Sequence, residues 1–578
     1  MPGFYAIIHQ NFNTIDSHMT ETTLIQPVIE RALQDPDRLT LVLINEDGSE
    51  QSVNAREFHL MASSYAHALQ SIGIGPEDLV VLVLKHSRVL LSAFWGALYL
   101  GAIPSIFPFL TEKLDPELYM QRVKTLVTHE GAKAVITFPE FKEQLTSLLA
   151  EADCQVLSTD QVSDSLDEPD KSIFWKNPDA EKIAFLQHSS GTTGLQKGVA
   201  LSHRAVLNQV KSYRESIKLT AEDIIVSWLP LYHDMGLIAG FVMPIITGTP
   251  LVLMSPFHWI RDPKILLQAI SKHKGTLCWL PNFAYNHLAR TMRPSYLEGI
   301  DLSSWRAAIN CSEPVYLQSH MVFLEKFTPY GFKESSLTAC YAMAENTFAV
   351  TQSTIGQAAG VDWVKISPLQ EERRAVPAEP NSNGSVAMVC NGPPISGTEI
   401  AIADVEGNFL PERREGEIVL KSNCMLSEYY KRPDITKEAI RDGWYYTGDM
   451  GYIVNGELYI SGRKKDMIIV GGKNVYPQDL EAIANHVPGI YPGRAVAFGI
   501  FDERIGSEVV IMVAELLPED QRPLPAEIER KLRHRVVEQT EVTLADVRLV
   551  EKRWLIKTSS GKIARNDNRQ KYLKQFRS

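Results

Sequence analysis

Cysteine is scarce in this sequence, and positive charge is not in excess. The six cysteines among 578 residues are widely scattered and form neither a CxxC pair nor a Cys/His pair at metal-ligand spacing. Neither a disulfide framework nor a zinc site is therefore indicated, and a cytoplasmic location is expected. Lys and Arg number 58 against 69 Asp and Glu, which gives a net charge of −11. General attraction to nucleic acid or to anionic lipid is not expected.

Targeting and membrane signals are also missing. Met1 to Met19 has no basic stretch followed by an apolar core, so no secretory signal is predicted. Met235 to Trp259 carries no Asp, Glu, Lys or Arg and approaches the ~20 residues that cross a bilayer. Its glycines and prolines favour a buried helix followed by a buried strand, so no integral membrane association is predicted.

The overall composition is that of an ordinary globular protein. Hydrophobic residues make up 44% and charged residues 22% of the chain, values that are typical of globular domains. The length of 578 residues leaves room for about three to five structural units.

Short β-branched runs alternate with amphipathic stretches in the first 360 residues. Leu79 to Leu84 and Ala134 to Thr137 are predicted as buried strands, with a packed helix over Arg88 to Tyr99 between them. Another strand is predicted at Ile183 to Gln187, and Ser202 is the predicted N-cap of a later helix. This alternation predicts βαβ crossovers and parallel sheets.

The sequence pattern changes after about Val361. Val361 to Ser385 is rich in charge, proline, asparagine and serine and is predicted to be an excursion from the fold. Short alternating strands then predict a small β-rich module, at Glu399–Ala403, Glu417–Lys421 and Glu457–Ser461. From Met467 onward, alternating elements predict a separate α+β domain, with helices at Pro477–His486 and Ala526–Glu538 and strands at Ala495–Gly499 and Val509–Val513.

The most specific local signal is the stretch HSSGTTGLQKG from His188 to Gly198. Glycines let the backbone approach an anion, hydroxyls donate hydrogen bonds, and Lys197 supplies a positive charge, so the stretch predicts phosphate binding. It is not a Walker A loop, because Gln196 and Gly198 flank the lysine where GK[ST] is required. The alternative is a polar hairpin turn, which explains the glycines but not so many hydroxyls beside one lysine.

Together with four further segments, this loop makes the chain resemble the adenylate-forming enzymes: acyl-CoA synthetases, luciferases and peptide-synthetase adenylation domains. The segments are YAMAE at Tyr341–Glu345, YTGD at Tyr446–Asp449, SGRKKD at Ser461–Asp466 and KTSSGK at Lys557–Lys562. The resemblance runs from about Thr22 to the end of the chain. One departure is Ile556, where proline commonly precedes the last motif, and it is expected to alter loop stiffness more than chemistry.

Within that superfamily the chain is most similar to the fatty acyl-AMP ligases. The segments that carry this likeness are WLPLYHDMG at Trp228–Gly236, PNFAY at Pro281–Tyr285 and VYPQDLE at Val475–Glu481. The excursion at about 361–385 lies where that family has its insertion. The resemblance implies an α/β fold with a large N-terminal domain of stacked α/β sheets and a small β-rich module (1–462). A hinge (463–466) and a small mobile α+β C-terminal domain (467–578) would follow.

The resemblance also implies roles for individual residues, with ATP and Mg²⁺ as cofactors. The phosphates are expected to be held by Ser189, Ser190, Gly191, Thr192, Thr193, Gly194 and Lys197. The residues expected to line the rest of the nucleotide pocket are Asn310, Cys311, Ser312, Glu313, Tyr341, Ala342 and Met343. The ribose is assigned to Asp449 and Arg463. The expected catalytic residues are Lys562, His233 and Glu345, and Glu345 is the expected magnesium ligand.

Taken singly, these residues have other interpretations. Glu345 has the alternative of an exposed helix carboxylate, Lys562 that of a solvated lysine in a basic tail, and His233 that of a hydrogen-bonded core histidine. Asp449 alone would be interpreted as a turn aspartate. Several apolar side chains have the alternatives of an acyl tunnel or plain core, namely Phe241, Val242, Met243, Trp279, Phe283 and Tyr285.

The predicted function is ATP-dependent activation of a fatty acid to acyl-adenylate, with transfer to the phosphopantetheine thiol of an acyl carrier protein. The residues themselves indicate adenylation, and the acceptor comes from the resemblance. The close alternative is a long-chain acyl-CoA synthetase. An amino-acid adenylation enzyme is less favoured because only Asp234 offers an acidic partner for an α-amine near Tyr232 to Gly236. A non-catalytic nucleotide or lipid sensor is disfavoured by the presence of Lys197, Glu345 and Lys562.

Overall fold

The computed structural model describes residues 23–109, 116–163, 179–188, 197–470, 473–502, 507–540, 542–558 and 561–577. The first fourteen strands are β1 (Leu39–Ile44), β2 (Glu50–Asn54), β3 (Leu79–Val83), β4 (Ile103–Ile106), β5 (Ala134–Thr137), β6 (Gln155–Ser158), β7 (Ile183–His188), β8 (Gly198–Ser202), β9 (Ile225–Ser227), β10 (Leu251–Met254), β11 (Leu277–Leu280), β12 (Ala307–Asn310), β13 (Leu337–Ala342) and β14 (Ala349–Gln352). The next eight are β15 (Val361–Lys365), β16 (Ser385–Val389), β17 (Thr398–Ala403), β18 (Gly416–Ser422), β19 (Glu428–Tyr429), β20 (Ile440–Arg441), β21 (Trp444–Val454) and β22 (Glu457–Arg463). The last five are β23 (Ile468–Val470), β24 (Lys473–Val475), β25 (Ile490–Asp502), β26 (Ser507–Leu516) and β27 (Leu544–Val550).

The helices connect these strands. The α-helices are Ile25–Gln34, Ala55–Ser71, Arg88–Tyr99, Pro116–Glu130, Pro139–Leu148, His203–Ser216, Met243–Thr247, Pro256–Arg261, Lys264–His273, Asn282–Thr291, Leu317–Phe327, Ile366–Glu372, Pro433–Ala439, Pro477–Asn485, Pro525–Thr540 and Arg565–Phe576. A π-helix spans Met235–Val242. Short 3-10 helices lie at Thr159–Gln161, Pro294–Tyr296, Thr328–Tyr330, Glu334–Ser336, Ala344–Asn346, Lys464–Asp466 and Glu519–Gln521.

Two large sheets form the framework of the N-terminal part. One has the strand order β14-β13-β12-β11-β9-β10-β1-β2, and the other has the order β19-β8-β7-β4-β3-β5-β6. The interior strands pair in parallel. Antiparallel pairs occur at both ends of the first sheet and at the β19-β8-β7 end of the second. The predicted parallel sheets are therefore confirmed. All five residues of β3 are buried because apolar side chains cover both faces of the sheet, as the uninterrupted run LVVLV indicates.

Helix boundaries in this part follow local capping chemistry. The helix Arg88–Tyr99 has the predicted bounds and begins after Ser87, whose side chain accepts from the backbone N–H of Leu90. Ser202 is the N-cap of His203–Ser216, as predicted, and accepts from the backbone N–H of Ala205 at 3.1 Å. Each hydroxyl accepts a hydrogen bond from a backbone N–H in the first turn of the helix, where such groups have no intrahelical partner.

A β-rich module follows at β17, β18, β20, β21 and β22, which form one antiparallel sheet. The segment 361–385, predicted to be an excursion, is more ordered than expected. It contains β15, which pairs with β16, and the helix Ile366–Glu372. Val364 and Leu369 are buried beside Tyr452 and Tyr459 of the module. These apolar side chains pack the segment onto the module.

The α+β unit near the C-terminus has its own hydrophobic core. The cluster runs from Ile468 to Val547 and packs the helices Pro477–Asn485 and Pro525–Thr540 on the sheet β25-β26-β27. Both predicted helices and both predicted strands are present within a few residues of their expected bounds. The domain boundaries at 462 and 467 stay a prediction.

The apolar segment 235–259 is buried in the N-terminal core. It forms the π-helix, a short α-helix, β10 and the start of another helix, so the predicted helix followed by a strand is confirmed. No helix in the described residues has both the length and the apolar character of a membrane span. All six cysteines lie in the described part of the chain and are free thiols.

His188, the last residue of β7, takes part in a buried hydrogen-bonded chain. Its Nε2 atom lies 3.1 Å from both carboxylate oxygens of Glu130, and its Nδ1 atom lies 2.9 Å from Ser105 Oγ. The side chains of His188 and Glu130 are 2% and 5% exposed. Because Glu130 ends the helix Pro116–Glu130, the chain joins this helix to the sheet at the start of the glycine-rich stretch.

We expect Glu130→Ala to destabilise the N-terminal part by about 1–3 kcal/mol, because His188 loses its partner in a buried position. The measurement is the free energy of unfolding from a urea titration of the full chain. Glu140→Ala is the control, since Glu140 is exposed on the next helix and such a change is worth less than about 0.5 kcal/mol. Equal stability of the two variants would contradict the expectation.

Candidate active site

A single large cleft collects most of the predicted site residues. Its volume is about 4350 Å³, well above the ~300–1,000 Å³ of a pocket for one small ligand, so it has room for more than one reactant. The predicted residues that line it are Lys197, His233, Ser312, Glu313, Tyr341, Ala342, Met343, Glu345, Asp449, Arg463 and Lys562. They come from distant parts of the chain and meet only in the folded structure.

Asp449 lies on β21 between two donors. Tyr341, from β13, donates its hydroxyl to Oδ2 at 2.6 Å, and Arg463 Nε lies 3.3 Å from Oδ1. The nearby carboxylate is the main reason why the pKa of Arg463 is raised. Gly448 supplies the left-handed turn before Asp449, with φ of 72°, a conformation that glycine adopts without strain. The aromatic residue, the aspartate and the arginine thus form one polar wall.

Glu345 lies in a 3-10 turn over Ala344–Asn346 that follows β13. Its carbonyl oxygen accepts from the backbone N–H of Leu426 at 2.7 Å, and its Oε1 accepts from Tyr429 OH at 2.8 Å. Burial raises the pKa of Glu345, and the hydrogen bond from Tyr429 opposes that rise. The carboxylate lines the cleft, so it is not the exposed helix residue of the alternative interpretation.

The glycine-rich stretch is described only at its two ends. Ser189, Ser190, Gly191, Thr192, Thr193 and Gly194 lie outside the described residues, and their phosphate role stays a prediction. Lys197 is described immediately before β8, and its Nζ lies 4.9 Å from the ring centre of Tyr429. Its ammonium therefore lies on the side of the cleft that also carries Glu345.

Asn310 and Cys311 lie behind the surface of the cleft. Both are fully buried, and the Asn310 Nδ2 atom donates to Asn282 Oδ1 at 3.1 Å. Its Oδ1 atom has no hydrogen-bond partner in the part of the chain that the structure describes. Ser312, with φ of 71°, turns the chain into the cleft, and Glu313 Oε2 accepts from the backbone N–H of Phe283 at 2.9 Å. The nucleotide role of this loop stays a prediction.

His233 and Lys562 are close in the cleft although they lie far apart in the sequence. Burial lowers the pKa of His233 to about 3, and the charge of Lys562 contributes to this, so the imidazole is neutral near pH 7. Among the described residues, its Nε2 atom has no hydrogen-bond partner. The neighbouring Asp234 has its pKa raised by burial, and Lys562 opposes this.

Lys562 is carried on a tight turn. Gly561 has φ of 83°, and the backbone N–H of Thr558 donates to the carbonyl of Lys562 at 2.8 Å. Ser559 and Ser560 lie outside the described residues. The lysine is half-buried in the cleft, so the alternative of a solvated tail lysine does not describe its position.

The apolar side chains weighed for an acyl tunnel are mostly core. Of the six, Phe283 lines the cleft, and the others are buried in the main hydrophobic cluster. Trp279, for example, donates its indole N–H to Tyr213 OH at 2.7 Å. Phe283 packs on Trp228 and Trp259, two buried rings that stack with centres 3.7 Å apart.

Three further residues connect the site and were not among the predicted site residues. Asp234 lies in the WLPLYHDMG segment quoted above, so the sequence did contain a signal for it. Glu417 accepts from the Gly448 backbone N–H at 3.0 Å and from Lys464 Nζ at 2.8 Å, so it ties the Asp449 turn to the predicted hinge. Tyr429 binds Glu345. Glu417 and Tyr429 lie in ordinary strands and had no sequence signal.

The C-terminal unit is bound to the N-terminal part by polar contacts. Tyr316 donates its hydroxyl to the carbonyl of Gln478 at 3.1 Å, and Tyr476 donates to Glu415 Oε1 at 3.1 Å. These contacts hold the C-terminal unit in the arrangement that brings Lys562 beside His233.

Comparisons with known proteins identify the family of the chain. The model of the protein family described as "AMP-binding enzyme" matches residues 28–430 of this chain. A putative acyl-CoA synthetase from Caulobacter vibrioides is 30% identical over 514 residues, which cover 88% of each chain. A medium-chain-fatty-acid acyl-carrier-protein ligase from Moorena producens is 30% identical over 554 residues, which cover 92% of this chain and 91% of the relative.

A solved structure from a study of fatty acyl-adenylate ligases from E. coli and L. pneumophila has a TM-score of 0.86 at 27% identity. The match covers 97% of this chain and 98% of that one. The chain therefore belongs to the family of AMP-binding enzymes and has the two-domain fold of the fatty acyl-adenylate ligases.

Proposed function

We propose that this protein joins a fatty acid to AMP, releases pyrophosphate, and passes the acyl group to the phosphopantetheine thiol of an acyl carrier protein. The observation that carries the proposal is the position of Lys562 beside His233, in the cleft that also holds Lys197, Glu345 and Asp449. The fatty-acid substrate and the carrier protein follow from the relatives named above.

The first half-reaction brings two negatively charged reactants together. A carboxylate oxygen of the fatty acid attacks the α-phosphorus of ATP, a new P–O bond forms, and the bond to pyrophosphate breaks. Lys562 stabilises the charge that develops between the two reactants. Lys197 binds the phosphates that leave, and Asp449 accepts from the ribose hydroxyls.

Mg²⁺ fits the residues that are present. Glu345 offers a carboxylate on the surface of the cleft, and Mg²⁺ on a nucleotide commonly takes one or two protein carboxylates together with phosphate oxygens. When bound, the ion would neutralise phosphate charge. Tyr429 occupies Oε1 of Glu345, which leaves the other oxygen for this contact.

His233 is suited to the wall of the acyl site. Its neutral imidazole adds no charge that would hold the fatty-acid carboxylate away from Lys562. Beyond it, Phe283 lines the cleft and offers an apolar surface to an alkyl chain, with the buried rings of Trp228 and Trp259 behind it.

ATP–pyrophosphate exchange across a series of fatty acids tests the proposed function. We expect exchange that depends on the fatty acid, followed by acyl transfer to carrier protein bearing the phosphopantetheine arm. Efficient transfer to coenzyme A instead would assign the chain to the acyl-CoA synthetases, a description that one relative carries. Absence of exchange with every acid would contradict the adenylation step itself.

We expect Lys562→Ala to lower kcat for acyl-adenylate formation by about 100- to 1,000-fold, because the lysine stabilises charge that develops in the transition state. The dissociation constant for ATP should stay near the wild-type value. Pyrophosphate exchange and calorimetric ATP binding measure the two quantities. Lys574→Ala is the control, since Lys574 is exposed on the last helix. Normal pyrophosphate exchange by Lys562→Ala would mean that the lysine does not take part in the reaction.

The segment 361–385 bears on the choice of acceptor. Arg373 follows its helix, and its guanidinium donates to Asn474 Oδ1 at 3.2 Å and lies 3.8 Å from Glu415 Oε2. Asn474 belongs to β24 of the C-terminal unit and donates back to the carbonyl of Gln370 at 2.9 Å. The segment is thus bonded to the C-terminal unit, which supports a role in restraining that unit.

We expect Arg373→Ala to leave acyl-adenylate formation intact and to raise acyl-CoA production by about fivefold, the shift produced by about 1 kcal/mol of lost contact energy. Arg374→Ala is the matched control, because its side chain is exposed and pairs with Glu372 of the same segment. Acyl-CoA is measured chromatographically for each protein and is compared at equal rates of acyl-adenylate formation. Unchanged acyl-CoA production in the Arg373 variant would mean that this contact does not restrict the acceptor.

A further inference from the structure

Tyr429 lies between two groups of opposite charge in the cleft. Its hydroxyl donates to Glu345 Oε1 at 2.8 Å, while the Nζ of Lys197 lies 4.9 Å from its ring centre. Tyr429 is 4% exposed. An ammonium within about 6 Å of an aromatic face is attracted by the ring, so one side chain contacts both charged groups.

The backbone of Tyr429 is held from two sides. Tyr429 pairs with Val199 in the antiparallel β8–β19 pair, and the next residue, Tyr430, donates its N–H to the carbonyl of Gly198 at 2.7 Å. On the other side, its own N–H donates to Thr436 Oγ1 at 3.0 Å. This anchoring, close to both charged groups, places the ring and the hydroxyl independently of any ligand.

The direction of the hydrogen bonds follows from the number of protons. A phenol keeps its proton near pH 7, so both tyrosines have one hydroxyl proton each. Tyr429 has one hydroxyl proton and gives it to Glu345. The 2.9 Å contact between the two tyrosine hydroxyls is therefore a donation from Tyr445 to Tyr429. This second bond polarises the first in the same direction.

We propose that Tyr429 is a positioning residue that holds Glu345 and Lys197 apart and aims both at the metal–polyphosphate group of the bound nucleotide. The proposal rests on the proposed function of the site. Within the described residues no ion pair joins Lys197 to Glu345. Each of them instead contacts Tyr429, and both remain available to the ligand.

The two contacts of Tyr429 can be separated by substitution. Tyr429→Phe removes the hydroxyl and keeps the ring. It therefore breaks the hydrogen bond to Glu345 and preserves the aromatic face that Lys197 contacts. Tyr429→Leu removes both contacts. Tyr430→Phe is the matched control, because Tyr430 is the next residue along the chain and its ring lies beside Lys431, outside the cleft.

The test is calorimetric binding of ATP to the full chain, once with Mg²⁺ and once with EDTA. We expect Tyr429→Phe to weaken binding in Mg²⁺ by about tenfold, the usual effect of losing an outer-shell partner, with binding in EDTA unchanged. Tyr429→Leu should in addition weaken binding in EDTA by about threefold, through the lost ring contact. Tyr430→Phe should match the wild type under both conditions.

A double-mutant cycle identifies the route of the effect. If Tyr429 acts through Glu345, the double variant Tyr429→Phe with Glu345→Gln binds ATP in Mg²⁺ no more weakly than Glu345→Gln alone. Three results would overturn the proposal. The losses of ATP affinity in the two single variants could add in the double variant. Tyr429→Phe could also bind ATP equally weakly in Mg²⁺ and in EDTA, or as tightly as the wild type. These measurements need no fatty acid, so a failure of the proposed function appears separately, as absent pyrophosphate exchange by the wild type.

Unfolding midpoints without ligand verify that each variant is folded. If Tyr429→Phe does not fold, Tyr445→Phe is the second variant, since it removes only the hydroxyl that donates to Tyr429. A loss of about twofold in Mg²⁺ alone would support the proposal. Wild-type binding by Tyr445→Phe would count against it.

Discussion

Repulsion between a carboxylate and a polyphosphate is the constraint on which the arrangement of this cleft depends. Both reactants are anions, so cations must reach them from more than one direction. Lys197, immediately before β8, and Lys562, in the C-terminal unit, both line the cleft, as does Arg463 at the end of β22. Arg463 is paired with Asp449, whereas the ammonium of Lys197 rests on the face of Tyr429. Arg463 is thus held by an ion pair, and Lys197 by the face of an aromatic ring.

The rest of the fold serves to place these groups. Two sheets with buried interior strands form the base. Tyr341 on β13, Glu345 just after β13 and Asp449 on β21 all line one cleft. Burial also sets the charge of individual groups. It makes His233 neutral near pH 7 and raises the pKa of Glu345, whose hydrogen bond from Tyr429 favours the ionised form. Positioning and ionisation therefore depend on the same contacts.

Much of this could be predicted from the sequence, because the signals are local. The helix Arg88–Tyr99 and the strand Ala134–Thr137 have their predicted bounds, since periodicity and capping act over a few residues. The contact between Glu345 and Tyr429 could not be predicted, because it joins a 3-10 turn to a two-residue strand 84 positions away. The sequence also left open whether six apolar side chains line a tunnel or fill the core, and five of them are core. Apolar residues look alike in sequence whether they line a cavity or fill a core.

The central claim is that a carboxylate oxygen attacks the α-phosphorus of ATP in this cleft. Fatty acid labelled with oxygen-18 in its carboxyl group, incubated with ATP, Mg²⁺ and an acceptor, tests this directly by mass spectrometry of the nucleotide. The account predicts one labelled oxygen in AMP and none in pyrophosphate, because the bridging oxygen stays with AMP when the acyl group leaves. Label in orthophosphate with release of ADP, or AMP without label, would contradict it.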